Sequence, residues 1–210
     1  WVARDRAAGV RAAEAAGAEV ILLDDGFQNP AVRASLGLVV VDAARGFGNG
    51  RCIPAGPLRE PVATGLARAD LVLTIGEPAA QTSFDATWGP VAAPRLRGRL
   101  QPVQMGMDWK GERVLAFAGI ANPSRFFATL RDEGADVVRG EALGDHEPLS
   151  DALLRRLEAE AARSDAQLVT TEKDAARLPL NWRTKVLVLV VRLQVGDWSP
   201  FDRALDRLGL

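Results

Sequence analysis

Three short apolar runs set the first constraint on this chain: Glu19 to Leu23, Leu36 to Val41 and Ala69 to Ile75, each closed by Asp, Gly or Glu. Runs of this kind, separated by helical or looped stretches, read as buried parallel strands, so the fold class expected is α/β. Arg4 to Ala18, ahead of the first run, is an Ala-rich amphipathic helix with no N-cap before it. The first residue is Trp1 rather than Met, and the chain is expected to be part of a longer protein.

From Pro78 to Trp109 the pattern weakens, with Gly89-Pro90, Pro94 and Pro102 interrupting it, and Arg95 to Leu100 alternates charged and apolar residues as an exposed strand does. A boundary is placed here, giving a first unit over residues 1–94, a linker over 95–109 and a smaller α/β unit over 110–210. In that second unit Arg113 to Ala118, Ala135 to Val138 and Gln167 to Thr170 read as strands, and Lys185 to Val195 as one long strand. Asn122-Pro123 starts a helix with an N-cap and a first-position Pro. Ser150 to Ala162 is another helix, Thr171-Glu172-Lys173-Asp174 resembles a capping box, and Ser199-Pro200 caps a last helix that, with the last strand, is free to pack back toward the first unit.

Composition excludes several classes. With 210 residues, 48% of them hydrophobic and 25% charged, the chain is long and apolar enough to bury a core. A net charge of −1 supplies no global pull toward nucleic acid or an anionic membrane. One cysteine, Cys52, permits no intramolecular disulfide, and one histidine, His146, leaves too few ligands for a zinc site of His and Cys. No apolar run approaches the roughly 20 residues that span a bilayer, and no secretory signal precedes the first strand.

Within this frame a few segments can carry chemistry. Val20 to Gly26 is an apolar run ending in Asp24 and Asp25. That pattern puts two carboxylates at the carboxyl edge of a parallel sheet, where doubly wound folds bind ligands and where a carboxylate can hold Mg²⁺ against phosphates. An ordinary Asp-Gly turn is the plainer alternative. Ala43 to Pro61, rich in Gly and Pro, is a long loop, and loops of that length are more often functional than idle. Its Gly46-Phe47-Gly48-Asn49-Gly50 lacks the spacing of a dinucleotide fingerprint and reads as a flexible loop. Its Gly56 to Pro61 segment presents Arg59, suited to bidentate phosphate binding, beside Glu60; a helix start with a surface ion pair fits the same residues. Asp145-His146 offers an imidazole oriented by a carboxylate, or simply a surface loop. No Gly-x-Ser-x-Gly elbow occurs, and none of the three lysines (Lys110, Lys173, Lys185) sits in Gly-x-x-x-x-Gly-Lys-Ser/Thr, so a phosphate cradle of that type is not in these 210 residues.

Five segments in this order resemble the tetraacyldisaccharide 4′-kinase family, the ATP-dependent kinases of lipid A biosynthesis. They are Asp24 to Gln28, Gly48-Asn49-Gly50 running to Pro54 through Pro61, Phe117 to Pro123, Asp145-His146, and Thr170 to Asp174. The resemblance implies a P-loop NTPase-like parallel-sheet core, incomplete here, and a smaller α/β domain joined to it by a β linker, with the site in the cleft between them. It implies ATP and Mg²⁺ as cofactors and transfer of the γ-phosphoryl to the 4′-hydroxyl of a tetraacylated glucosamine disaccharide. Asp24 and Asp25 are then metal-site carboxylates, and Gln28, Arg59 and Glu60 face the phosphates or the substrate. Asp145 and His146 are catalytic, with His146 partnering an aspartate that polarises the sugar hydroxyl. The family's P-loop and that aspartate belong ahead of Trp1, so this chain alone is expected to be inactive. Asn29 stands where the family usually has His, and an amide cannot carry a proton there at neutral pH. The resemblance further implies a lipid A disaccharide precursor as partner, peripheral contact with the cytoplasmic face of the bacterial inner membrane, a monomer, and no nucleic acid. Two competitors remain open: a non-catalytic fragment binding glycolipid or nucleotide, and another α/β phosphotransferase using the same strand-end acids.

Overall fold

The computed structural model describes residues 1–103, 106–144 and 147–210. Its contacts divide the chain into two units, Trp1–Leu100 with Leu193–Leu210, and Gln101–Arg192.

The first unit opens with helix α1 (Arg6–Ala15). Contrary to the expectation of an uncapped start, Asp5 is its N-cap, its carboxylate accepting from the Ala8 amide at 3.0 Å. Strand β1 (Leu38–Asp42), helix α2 (Val62–Leu66), strand β2 (Leu71–Ile75), helix α3 (Pro78–Trp88) and strand β3 (Arg95–Pro102) follow. Strand β8 (Val191–Val195) and helix α7 (Ser199–Asp206) complete the set near the C-terminus. The sheet order is β1-β2-β3-β8, with β1, β2 and β3 parallel, Leu38 opposite Leu71 and Val72 opposite Arg95. One face buries Val41, Val72 and Phe84, the other Leu71, Leu73, Leu96 and Ala204. A buried amide holds α3 to the sheet: Thr74 donates from Oγ1 to Gln81 Oε1 at 2.7 Å, and Gln81 Nε2 donates back to the Thr74 carbonyl at 2.9 Å.

The structure corrects three further sequence expectations in this unit. Glu19 to Leu23 is not a strand. Half-buried Ile21 and Leu23 alternate with exposed Val20 and Leu22, the latter 91% exposed, as in an extended segment covered on one side only. Apolar composition does not make a strand without a neighbour to complete its ladder, and no ladder partner for 19–23 exists among the described residues. Arg95 to Leu100 is not an exposed strand but lies between two others, with Leu96 2% exposed; two of its arginines, Arg95 and Arg97, pair with Asp85. Ser199 does not cap α7: it is the first helical residue, and its amide donates to Asp197 Oδ1 at 2.9 Å.

The second unit is a parallel four-stranded sheet, β4 (Arg113–Ala118), β5 (Asp136–Ala142), β6 (Gln167–Thr171) and β7 (Val186–Leu189), in the order β5-β4-β6-β7. Alternation along β4 sends Leu115 and Phe117 to one core and Val114, Ala116 and Ala118 to the other. Helix α4 (Pro123–Asp132) buries Phe126, Phe127 and Leu130 and starts at the Asn122 cap, which accepts from the Arg125 amide. Helix α5 (Asp151–Arg163) starts at the Ser150 cap and buries Leu154, Leu157 and Ala161. Helix α6 (Glu172–Ala175) starts at Thr171. The expected long strand over Lys185 to Val195 is broken at Val190, whose carbonyl accepts from the Val103 amide at 2.9 Å; β7 and β8 lie in different sheets.

Candidate functional site

In the first unit, residues 24–28 form a turn rather than a strand end, with Asp25 at φ 48°, a left-handed conformation in which Asp is enriched. The turn meets the segment that leads from the Gly- and Pro-rich loop into α2. That loop is itself packed: Phe47 meets Phe84 at a tilt and Trp88 edge-on, with ring centroids 5.8 and 5.1 Å away. Gly46, at φ +54°, lies so close to Trp88 that a Cβ would stand 2.1 Å from the indole nitrogen. The glycines serve this packing.

A continuous series of contacts joins the two segments. Arg6 Nη1 donates to the Asp25 carbonyl at 2.9 Å, and Arg59 Nη2 pairs with Asp25 Oδ2 at 3.4 Å. Arg59 Nη1 donates to Gln28 Oε1 at 3.3 Å, and Gln28 Nε2 donates to Glu60 Oε1 at 2.9 Å. Glu60 also pairs with Arg68, whose second Nη donates to the Phe27 carbonyl at 3.3 Å. The structure thus brings together Asp25, Gln28, Arg59 and Glu60, with exposed Asp24 adjoining in the same turn. Arg6 and Arg68 were not singled out in the sequence; each lies outside any motif, and only their return to residues 25, 27 and 60 marks them. Asn29 turns inward on its own loop, its Oδ1 accepting from the Ala31 amide at 2.8 Å.

Gln28 and Arg59 stand between two cavities. One, of about 270 Å³, is polar, lined by Arg6, Asp25, Gln28, Asn29 and Arg59 among others. The second, of about 330 Å³, is mainly apolar, with Phe27, Val39, Phe47, Leu58 and Leu66 in its wall. The polar cavity offers guanidinium groups suited to an anion and carboxylate oxygens suited to a hard cation. No group of three or more His, Cys, Asp or Glu side chains able to hold a metal occurs among the described residues. Mg²⁺ does not require one, since it is commonly bound by one or two carboxylates, water and substrate phosphates; Asp25 lines the polar cavity and could supply one such carboxylate, with Asp24 next to it in the turn.

The second unit gathers two more of the sequence motifs. Its strand order places a topological switch point between β4 and β6, and both segments lie there. Thr170 Oγ1 donates to the Phe117 carbonyl at 2.8 Å. Asp174, fully buried, accepts from the Gly119 amide and from Thr171 Oγ1, both at 2.9 Å, and from Arg177 Nη1 at 3.2 Å. Arg177 also donates to the Glu147 carbonyl, and Glu147 Oε2 accepts from the Gly144 amide at 2.7 Å. Asp145 and His146 lie outside the described residues. No helix among the described residues is long and apolar enough to cross a membrane.

Comparison with known proteins places these features in a family. A tetraacyldisaccharide 4′-kinase of Dinoroseobacter shibae is 63% identical over 99% of this chain and 62% of its own length. One of a Jannaschia species is 57% identical over 99% of the chain and 64% of its own. The chain therefore spans a little over three fifths of the curated relatives it matches. A solved structure of LpxK from Aquifex aeolicus, in complex with ATP, superposes with a TM-score of 0.66 over 95% of this chain and 60% of its own, at 22% identity. That likeness bears out the expected α/β fold with parallel-sheet cores. The family model for tetraacyldisaccharide-1-P 4′-kinase matches residues 1–209, and the chain belongs to that family.

Proposed function

We propose that this chain supplies part of the site of an ATP-dependent kinase that phosphorylates the 4′-hydroxyl of a tetraacyl glucosamine disaccharide in lipid A biosynthesis. The observation that carries the reading is the contact series Asp25–Arg59–Gln28–Glu60 in a member of this family, which joins residues more than thirty positions apart, three of them on the polar cavity and Glu60 on the cavity beside it. Asp24 and Asp25 would hold Mg²⁺, which when bound neutralises phosphate charge. Arg59 exchanges its exposed partner Asp25 for a phosphate oxygen, a low-cost exchange because exposed ion pairs contribute only about 0–1 kcal/mol. Gln28 and Glu60 orient the acceptor side of the site by hydrogen bonding. Asp145 and His146, outside the described residues, are assigned to activation of the sugar hydroxyl. The apolar cavity beside Gln28 and Arg59 suits the lipid part of the acceptor. The setting is the cytoplasmic face of the inner membrane, with peripheral contact, and the chain acts as a monomer.

These 210 residues contain no Gly-x-x-x-x-Gly-Lys-Ser/Thr cradle, so the purified chain is expected to bind Mg²⁺-ATP weakly and to transfer no phosphate. Calorimetry with Mg²⁺-ATP, run beside a radiolabel transfer assay with the disaccharide lipid, tests both statements. Asp25→Asn should weaken binding about tenfold, the effect of losing roughly 1.4 kcal/mol. Equal affinity of the variant would remove Asp25 from the site, and labelled lipid from the purified chain would overturn the expected inactivity.

A further inference from the structure

The contact series contains one side chain that lines neither of the two cavities yet touches both halves of the site. Arg68 follows the C-cap of α2, a five-residue helix that starts just after Pro61, so α2 acts as a spacer that turns the chain back onto Glu60. The guanidinium meets three groups. Nη2 pairs with Glu60 Oε1, Nη1 donates to the Phe27 carbonyl at 3.3 Å, and Cζ lies over the Phe27 ring, 4.7 Å from its centroid. Phe27 in turn rests on Gly37, where a Cβ would stand 3.1 Å from the ring. The aromatic ring thereby contacts both a glycine and a cation, within the turn that carries Asp24, Asp25 and Gln28.

We infer that Arg68 is the positioning residue of this site, fixing the 24–28 turn against the 59–60 segment so that Gln28, Arg59 and the acids meet a ligand already arranged. The other cross-links are weaker. Arg59 and Asp25 are 62% and 71% exposed and 3.4 Å apart, and such a pair is readily screened or exchanged. Gln28 gives Glu60 a single bond from a neutral amide. Arg68 and Glu60, at 47% and 23%, are each less exposed than either member of the Arg59–Asp25 pair. The task also needs arginine specifically. A fork can serve a carboxylate and a carbonyl together while its face lies on an aromatic ring, whereas lysine brings one point charge and can satisfy only part of that set.

The inference deepens the kinase reading and takes from it only the identity of the ligand. Hydrogen exchange of the unliganded chain tests it, followed by titration with Mg²⁺-ATP. In Arg68→Ala, the peptide spanning 24–31, whose Asn29 and Ala31 amides are hydrogen-bonded, should exchange about tenfold faster. Peptides from β1 and β2 should keep their wild-type rates. Mg²⁺-ATP affinity should fall about tenfold, and Arg68→Lys should recover only part of both effects. Phe27→Leu, which keeps the Glu60 pair and removes the stacking, should fall between wild type and Arg68→Ala. Unchanged exchange over 24–31 overturns the inference, as does a uniform rise across β1 and β2, which marks Arg68 as a general stabiliser. Wild-type chain that binds no Mg²⁺-ATP removes nucleotide binding from these residues on their own, and the exchange pattern still decides the role of Arg68.

Discussion

Asp174 shows how much a single side chain can hold when it is wholly out of water. Its two oxygens accept from a backbone amide, a hydroxyl and a guanidinium, tying the segment after β4 to the segment after β6. A buried carboxylate is tolerated only when it is paired and hydrogen-bonded in this way. Asp174→Ala leaves the Gly119 amide without its acceptor and Arg177 without its counter-charge. The expected cost is about 3–5 kcal/mol, read as a shift in the urea midpoint with little change in slope. Asp174→Asn keeps the shape and one acceptor oxygen, and should cost about 1–3 kcal/mol. If both variants unfold at the wild-type urea concentration, the network holds nothing together. The sequence suggested a capping box at Thr171, and the Thr171 hydroxyl does accept from the Asp174 amide. It gave no sign that the Asp174 carboxylate reaches Gly119, fifty-five positions away, because no local spacing encodes such a contact.

Elements were legible where one physical signal decided them, and illegible where a partner did. Ala69 to Ile75 became β2, covered on both faces, and Leu36 to Val41 became β1, which pairs with β2 along its length although Val40 stays exposed; Asn122 and Ser150 cap their helices through contacts within three residues. Glu19 to Leu23 carries the same apolar signal and forms no strand, since nothing among the described residues pairs with it. The site divides the same way: Asp25, Gln28, Arg59 and Glu60 stood in recognisable motifs, whereas Arg6 contributes from the first helix and Arg68 from the turn after α2, neither within a motif. Element ends also determine the response to acid. Glu172, at the start of α6, is held below the ordinary carboxylate range chiefly by its hydrogen bond from Arg192. Asp85 on α3 is lowered chiefly by Arg95, Glu141 on β5 by Arg156, and Asp197 before α7 by Ser199. A carboxylate lowered by folding contributes stability above its unfolded pKa, about 4, and that contribution is lost as pH falls through the lower folded value. Thermal stability should therefore hold across pH 5 to 8 in respect of these groups and drop below about pH 4. Glu172→Gln should flatten the drop, and a variant with an identical acid profile would exclude the Arg192 pair as a contributor.

At the scale of the molecule, the two units differ in how the chain builds them. Gln101–Arg192 is one continuous stretch with a parallel sheet and a core on each face, Leu115, Phe117, Leu154 and Leu157 on one side and Val114, Ala116, Phe126 and Leu130 on the other. All the elements that bury those residues lie within the stretch, so excising it removes none of its own core. The first unit is discontinuous: Trp1–Leu100 is completed by Leu193–Leu210. That short return contributes Ala204, 1% exposed, to the cluster of Leu71, Leu73 and Leu96, with Leu193, Val195 and Phe201 packed around it. Without it, one face of β2 and β3 meets water, at a cost of roughly 25 cal/mol for each Å² of apolar surface left uncovered. A domain of this size has little stability to lose. Residues 101–192 expressed alone should melt cooperatively and protect the amides of β4 and β6 from exchange. Residues 1–100 alone should show no cooperative transition, and a covalent tandem of 1–100 with 193–210 through a flexible linker should regain one. A cooperative melt of 1–100 by itself, or a structureless 101–192, would show that the chain's contacts do not mark its folding units.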